Sequence, residues 1–336
     1  MTLVERRYRR MLRVLPRWYR AEREEEMVSA FLEDVNRDPD ADLRHDFGWP
    51  GWGEFGSLIA LSARTRWPGR TGSPRALVKG QVVRLIGLIG LLLASASALN
   101  QWLSWIVPKL NAINYYGADG RFGHYHGPAP LFWNWRLVLN VFLDGASLLA
   151  FLALLFGAWR VAKTGAVAAL LALVALMAYS MAGPHPFSLP ELLFYVICAL
   201  YPLCVLVGFH SDVAPFKPKW WLVALVGITA LWMGLGWATW VLLDVSVLIG
   251  AAAYLVAHYR RVWRGPAAGL LAVAVICALE ALNKLIWTSA YLLRDPSTLA
   301  VVAIEVAGLV AMAVWLRAQA AKVLPPETRS PLTVAG

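Results

Sequence analysis

The chain has 336 residues, of which 59% are hydrophobic and only 15% charged, with 17 tryptophans, a formal net charge of +10 and a mean hydropathy of +0.56. This balance excludes one or two ordinary soluble domains, which need far more polar surface, and predicts an integral membrane protein. The three cysteines, Cys198, Cys204 and Cys277, all lie in apolar stretches, which excludes a disulfide framework or a cysteine metal site.

The amino-terminal stretch breaks the apolar pattern. Arg6, Arg7, Arg9, Arg10, Arg13, Arg17, Arg20 and Arg23 interleave with Glu22, Glu24, Glu25 and Glu26, and no apolar core follows before Leu85, so no signal peptide is expected. Val4, Tyr8, Met11, Leu12 and Leu15 form the apolar stripe of a first amphipathic helix that Pro16 ends. A second helix from Trp18 buries Met27, Val28, Phe31, Leu32 and Val35. The run "NRDPDADLRHDFGWPGWG", Asn36 to Gly53, is a loop by its Asp, Pro and Gly content, and a third helix covers Glu54–Arg66.

The segment "RRYRRMLRVLPRWYRAEREEEMVSAFLED", with its Leu15-Pro16-x-x-Tyr19-Arg20 and Glu25-Glu26-Met27 elements, resembles the short helical prefix of many actinobacterial membrane proteins. These include permeases and membrane partners of PadR-type transcriptional regulators. The resemblance is confined to residues 1–66. It implies a cytoplasmic interaction module that meets a regulatory protein through Tyr19, Arg20, Glu25, Glu26 and Met27. In ABC-type permeases with this prefix a large extracellular domain follows the first span, whereas here a short loop does. Arginines beside Tyr8, Trp18 and Tyr19 also suit nucleic acid, but the acids of the second helix offset them. Inner-leaflet lipid is the better anionic partner, and no nucleic acid is expected.

After a linker over residues 67–82, the chain runs in apolar segments of roughly 20 residues, the length that crosses a hydrocarbon core of about 30 Å. Eight spans are predicted: Val83–Val107, Leu137–Ala158, Gly165–Ala182, Pro190–Phe209, Trp220–Gly236, Thr239–Ala257, Pro266–Thr288 and Thr298–Leu316. Only Gly234, Gly236 and Trp237 signal a turn between the fifth and sixth. The fold expected is an all-α, polytopic bundle with halves at 83–209 and 210–317, a small helical amino-terminal domain, and a disordered tail over 318–336. Short loops on one side hold Arg160, Lys163, Lys217, Lys219, Arg260, Arg261 and Arg264; the other side holds only Lys109, Arg121, Arg136 and Arg294. Positive-inside bias therefore predicts a plasma-membrane protein with both termini in the cytoplasm.

Val141–Ser180 laid over Val241–Glu280 without a gap pairs Asp144 with Asp244, Arg160 with Arg260 and Gly165 with Gly265. The offset spans an even number of crossings, so the halves are expected as parallel repeats of four helices each. A charge inside a membrane helix costs about 2.5–3.5 kcal/mol on insertion-derived scales, which makes each such acid a candidate for function. Counted along the helices, Asp144, Asp244, Glu280 and Glu305 fall in one outer-leaflet layer. Lys284 follows Glu280 in the favourable i, i+4 order, and Asn140 and Asn100 stand near the outer ends of the first two spans. These seven residues are the candidate ligand or ion site. The competing reading makes them glue between helices, worth about 0.6 kcal/mol a contact.

Outer-loop "FGHYHGPAPLFWNW" and "GPHPF" bring His124, His126 and His185 as candidate Zn²⁺ ligands. No nucleophile motif, HExxH or phosphate loop is present, so no enzyme and no cofactor are expected. The function expected is a sensor or regulatory membrane protein whose partners are the bilayer and a cytoplasmic regulator. The alternative is a small-solute or ion transporter that uses the acidic layer.

Overall fold

A computed structural model of the chain describes residues 2–37, 49, 51–66, 74–106, 135–182, 188–209, 216–235, 267–291 and 296–324, and every element among them is a helix. Two compact units divide the chain, Met1–Gly80 and Gln81–Gly336.

The first unit contains α1 (Leu3–Leu12), α2 (Arg17–Asn36) and α3 (Trp52–Arg66). Thr2 caps α1, its hydroxyl accepting from the Glu5 amide at 3.3 Å. The helix closes before the expected Leu15: the amides of Arg13, Val14 and Leu15 each bond three residues back, a tightening into 3₁₀ geometry ahead of Pro16. That leaves the Val14 carbonyl without a helical donor. Ser62 Oγ at 2.8 Å and an Arg66 guanidinium nitrogen at 2.9 Å, both from α3, supply one. Tyr8, Met11, Leu12, Leu15, Val28 and Leu58 make the core, and Tyr8 stacks on Phe31 with ring centroids 4.0 Å apart.

The second unit holds most of α4 (Pro74–Ile106), then α5 (Trp135–Leu155), α6 (Trp159–Met181), α7 (Leu189–Gly208), α8 (Pro218–Leu235), α9 (Ala267–Tyr291) and α10 (Pro296–Val323). Among the described residues, α4, α5, α6, α7, α9 and α10 are the six helices long and apolar enough to cross a membrane. They expose large apolar side chains such as Phe142, Leu149, Val174, Val196 and Val314, which water penalises and acyl chains accept. The chain is an integral, multi-pass membrane protein. The fifth expected span falls on α8, whose apolar stretch, Pro218–Met233, is shorter; the sixth, Thr239–Ala257, lies outside the described residues.

Two helix ends differ from the expected spans. α4 starts at Pro74, inside the expected linker, and α10 continues to Val323, inside the expected tail. Hydropathy marks where lipid begins, not where hydrogen bonding stops: proline is favoured at the first helical position, and Ala-rich "RAQAAKV" keeps high helix propensity beyond the apolar run.

The helices pack as antiparallel hairpins. α5 turns into α6 through Gly157, whose φ of 74° suits a residue without a Cβ. The Ala158 amide bonds Ala153 O at 2.8 Å and the Gly157 amide bonds Leu154 O at 3.3 Å, the paired bonds of a Schellman stop. Small residues on α6, Ala162, Gly165, Ala166, Ala169 and Ala172, are buried, and a Cβ on Gly165 would lie 3.1 Å from Ala146 O and from Ala150 Cβ. This is the close helix approach that drives association in lipid, where apolar burial no longer does. α9 and α10 form the other extensive pair, and α7 packs on both α6 and α9. α7 begins with a capping box between Ser188 and Glu191.

Candidate functional site

α4 and α7 cross with opposite directions, Val83 and Arg84 against Gly208, Gly87 against Cys204 and Val205, and Gly90 against Tyr201. A Cβ on Gly90 would run into the Tyr201 ring. Because that position is glycine, the phenol can lie against α4 and reach α9. There its hydroxyl donates to Glu280 Oε1 at 3.4 Å in the buried interior. Asn283, three residues along α9, donates Nδ2 to Glu280 Oε2 at a long 3.5 Å. Lys284, one residue further, reaches α10 and ion-pairs with Glu305 Oε2 at 3.0 Å. Three helices thus bring a phenol, an amide, an ammonium and two carboxylates to one level.

Burial sets the energetics of this group. Glu280 is 5% exposed and Glu305 7%, so both carboxylates depend on protein partners instead of water. A buried pair roughly balances desolvation against Coulomb attraction, whereas removing one partner strands the other. With two carboxylates and one ammonium among its described residues, the group is neutral when it holds one more positive charge, a proton or a monovalent cation.

Asp144 lies elsewhere. On α5 its Oδ2 is buried without a hydrogen-bond partner, as is Trp102 Nε1 on α4. The two helices meet there, since the Trp102 ring would stand 3.8 Å from a Cβ on the adjacent Gly145. Ser147 is buried one turn along, and Asn140 and Asn100 are half-buried. Among the described residues no hydrogen bond or ion pair joins Asp144 to the Glu280 group. Asp244, His124, His126 and His185 lie outside the described residues. No cluster of His, Cys, Asp or Glu suited to a metal occurs among those described.

In the amino-terminal unit Tyr19 and Met27 are half-buried against the core. Glu25 binds Arg9 of α1 through two contacts, at 2.6 and 2.8 Å, which hold its carboxyl below the usual range. Glu26 faces Arg23 at 3.5 Å, and Arg20 has its Nε buried without a partner.

Tyr201, Gly90 and Asn283 were not among the residues expected in a site. A tyrosine beside Pro202 within an apolar run, and two glycines spaced by three residues in the first span, are the signals that point to the first two; Asn283 is marked only by its place three residues after Glu280. Comparison with protein-family models, curated proteins and solved structures finds no match to this chain.

Proposed function

We propose that the protein is a non-enzymatic sensor of the plasma membrane, in which the state of the Glu280 group is passed to a cytoplasmic regulatory protein through residues 1–66. Both termini lie in the cytoplasm, and the bundle has eight spans in two parallel sets of four. One observation carries this reading. Glu280 and Glu305 are held by partners on other helices, Tyr201 and Lys284. Any ligand or proton that changes their charge therefore changes the packing of α7, α9 and α10, which is how a local electrostatic event acquires a wider readout. The resemblance of residues 1–66 to a regulatory prefix supplies the output side.

A test needs no ligand. The full chain and its Glu280→Gln and Lys284→Met variants are reconstituted in nanodiscs, and amide exchange is followed over Leu3–Asn36. Coupling predicts altered protection in the amino-terminal helices, although both substitutions lie in α9. Unchanged exchange in both variants would remove the sensor reading. The second reading, an ion or small-solute transporter, is favoured by the open valences of Asp144 Oδ2 and Trp102 Nε1. It predicts cation flux into proteoliposomes that Asp144→Asn abolishes.

A further inference from the structure

We infer that the amino-terminal unit binds a phosphate-bearing anion between α1 and α2. Arg6, Arg9 and Arg10 of α1 and Arg13 at its C-cap, with Arg20 and Glu24 of α2, line a cavity of about 380 Å³. That is within the range of small-ligand sites, about 300–1,000 Å³. Arg6, Arg10 and Arg13 stand at i, i+4 and i+7, one face of a helix whose opposite face buries Val4, Tyr8 and Met11. Like charges at that spacing destabilise a helix by themselves, so the arrangement gains from a bound anion.

Five guanidiniums face one carboxylate here. Arg9 is committed: it binds Glu25 at 2.6 Å and Glu5 at 3.0 Å, with Glu24 at 3.7 Å. Among the described residues the side chains of Arg6, Arg10, Arg13 and Arg20 make no hydrogen bond or ion pair, and the Nε of Arg20 is buried. Four guanidiniums are therefore left with donors to offer. Arginine presents a rigid fork of N–H groups that matches phosphate oxygens two at a time and stays charged at every physiological pH. Among the described residues no aromatic ring lines the cavity, and the guanidiniums that do line it suit a phosphate. Phosphate of this kind comes from a soluble polyphosphate or from a phosphorylated lipid headgroup. The inference does not depend on the sensor reading: it rests on the residues that line this cavity, whereas the group whose state that reading transmits, at Glu280, lies in the other unit.

The experiment uses the full chain in phosphatidylcholine nanodiscs, with tripolyphosphate added in one arm and a phosphoinositide included in the bilayer in the other. Amide protection over Leu3–Asn36 is expected to rise in at least one arm. A response to tripolyphosphate assigns a soluble ligand; a response to the phosphoinositide alone assigns a headgroup. Arg10→Gln and Arg13→Gln, both at exposed positions and so compatible with the fold, should each weaken binding about tenfold, the loss of one charge-assisted contact. Arg37→Gln, whose guanidinium pairs with Glu33 at 2.7 Å and does not line the cavity, should leave it unchanged. Protection absent from both arms, or equal binding by the Arg10 and Arg13 variants and the parent, overturns the site.

Discussion

Gly90 shows how much one missing side chain can decide. Its Cα faces the Tyr201 ring so closely that any Cβ would displace Tyr201 Cγ and Cδ1, the root of the ring and not a mobile tip. Gly90→Ala must push α4 from α7, and such overpacking costs about 1–3 kcal/mol. Gly227 of α8 offers the contrast, for nothing among the described residues lies within 4 Å of where its Cβ would be. There alanine gains up to about 1 kcal/mol of helix propensity. Thermal unfolding in detergent, followed by tryptophan fluorescence, should therefore show Gly90→Ala melting below the parent and Gly227→Ala at or above it. Equal midpoints would mean that α4 and α7 do not meet at Tyr201. In the sequence both glycines sit in apolar runs, and only the Gly87–Gly90 spacing sets one apart; what each Cβ would meet is decided by the neighbouring helix.

At the scale of elements, the apolar runs are legible because a bilayer demands an unbroken length of about 20 residues, and α4, α5, α6, α7, α9 and α10 stand where such runs are. The partner of a charge is less legible. Helical spacing offers Glu280 as the neighbour of Lys284, yet the ammonium also reaches Glu305 on α10 at 3.0 Å. Periodicity gives the face of a helix but not what is packed on it. The pair makes a prediction for the α9–α10 hairpin. Lys284→Met leaves the Glu305 carboxylate buried beside an apolar chain, a loss of about 3–5 kcal/mol for a broken buried pair in soluble proteins. Adding Glu305→Leu removes the stranded charge, so the double variant should recover most of that stability. Unfolding in a detergent series measures both. If the double variant is no more stable than Lys284→Met, the contact seen at 3.0 Å is not what holds the hairpin.

For the whole molecule, the open quantity is how the chain passes from α7 to α9. Four crossings, α4 to α7, return it to the side where it started, and α9 and α10 add two more. Eight spans require that α8 and a helix over 239–257 both cross; six require that neither does, and seven that one does. The segment itself is ambiguous for a physical reason. The apolar stretch of α8 ends at Met233, short of the length a bilayer asks for, and glycines 234 and 236 permit either a turn or a pause in one long helix. Single cysteines at Ala118, Ala238 and Gly265 separate the cases, since Cys198, Cys204 and Cys277 all lie within membrane helices and give little background. With a membrane-impermeant maleimide on intact cells, eight spans and a cytoplasmic amino terminus predict labelling at 118 and 238 and none at 265. Six spans predict labelling at 118 alone. Labelling at 265 means that an odd number of crossings precedes it, in which case the two sets of four helices cannot be parallel and Asp144 and Asp244 no longer occupy equivalent depths.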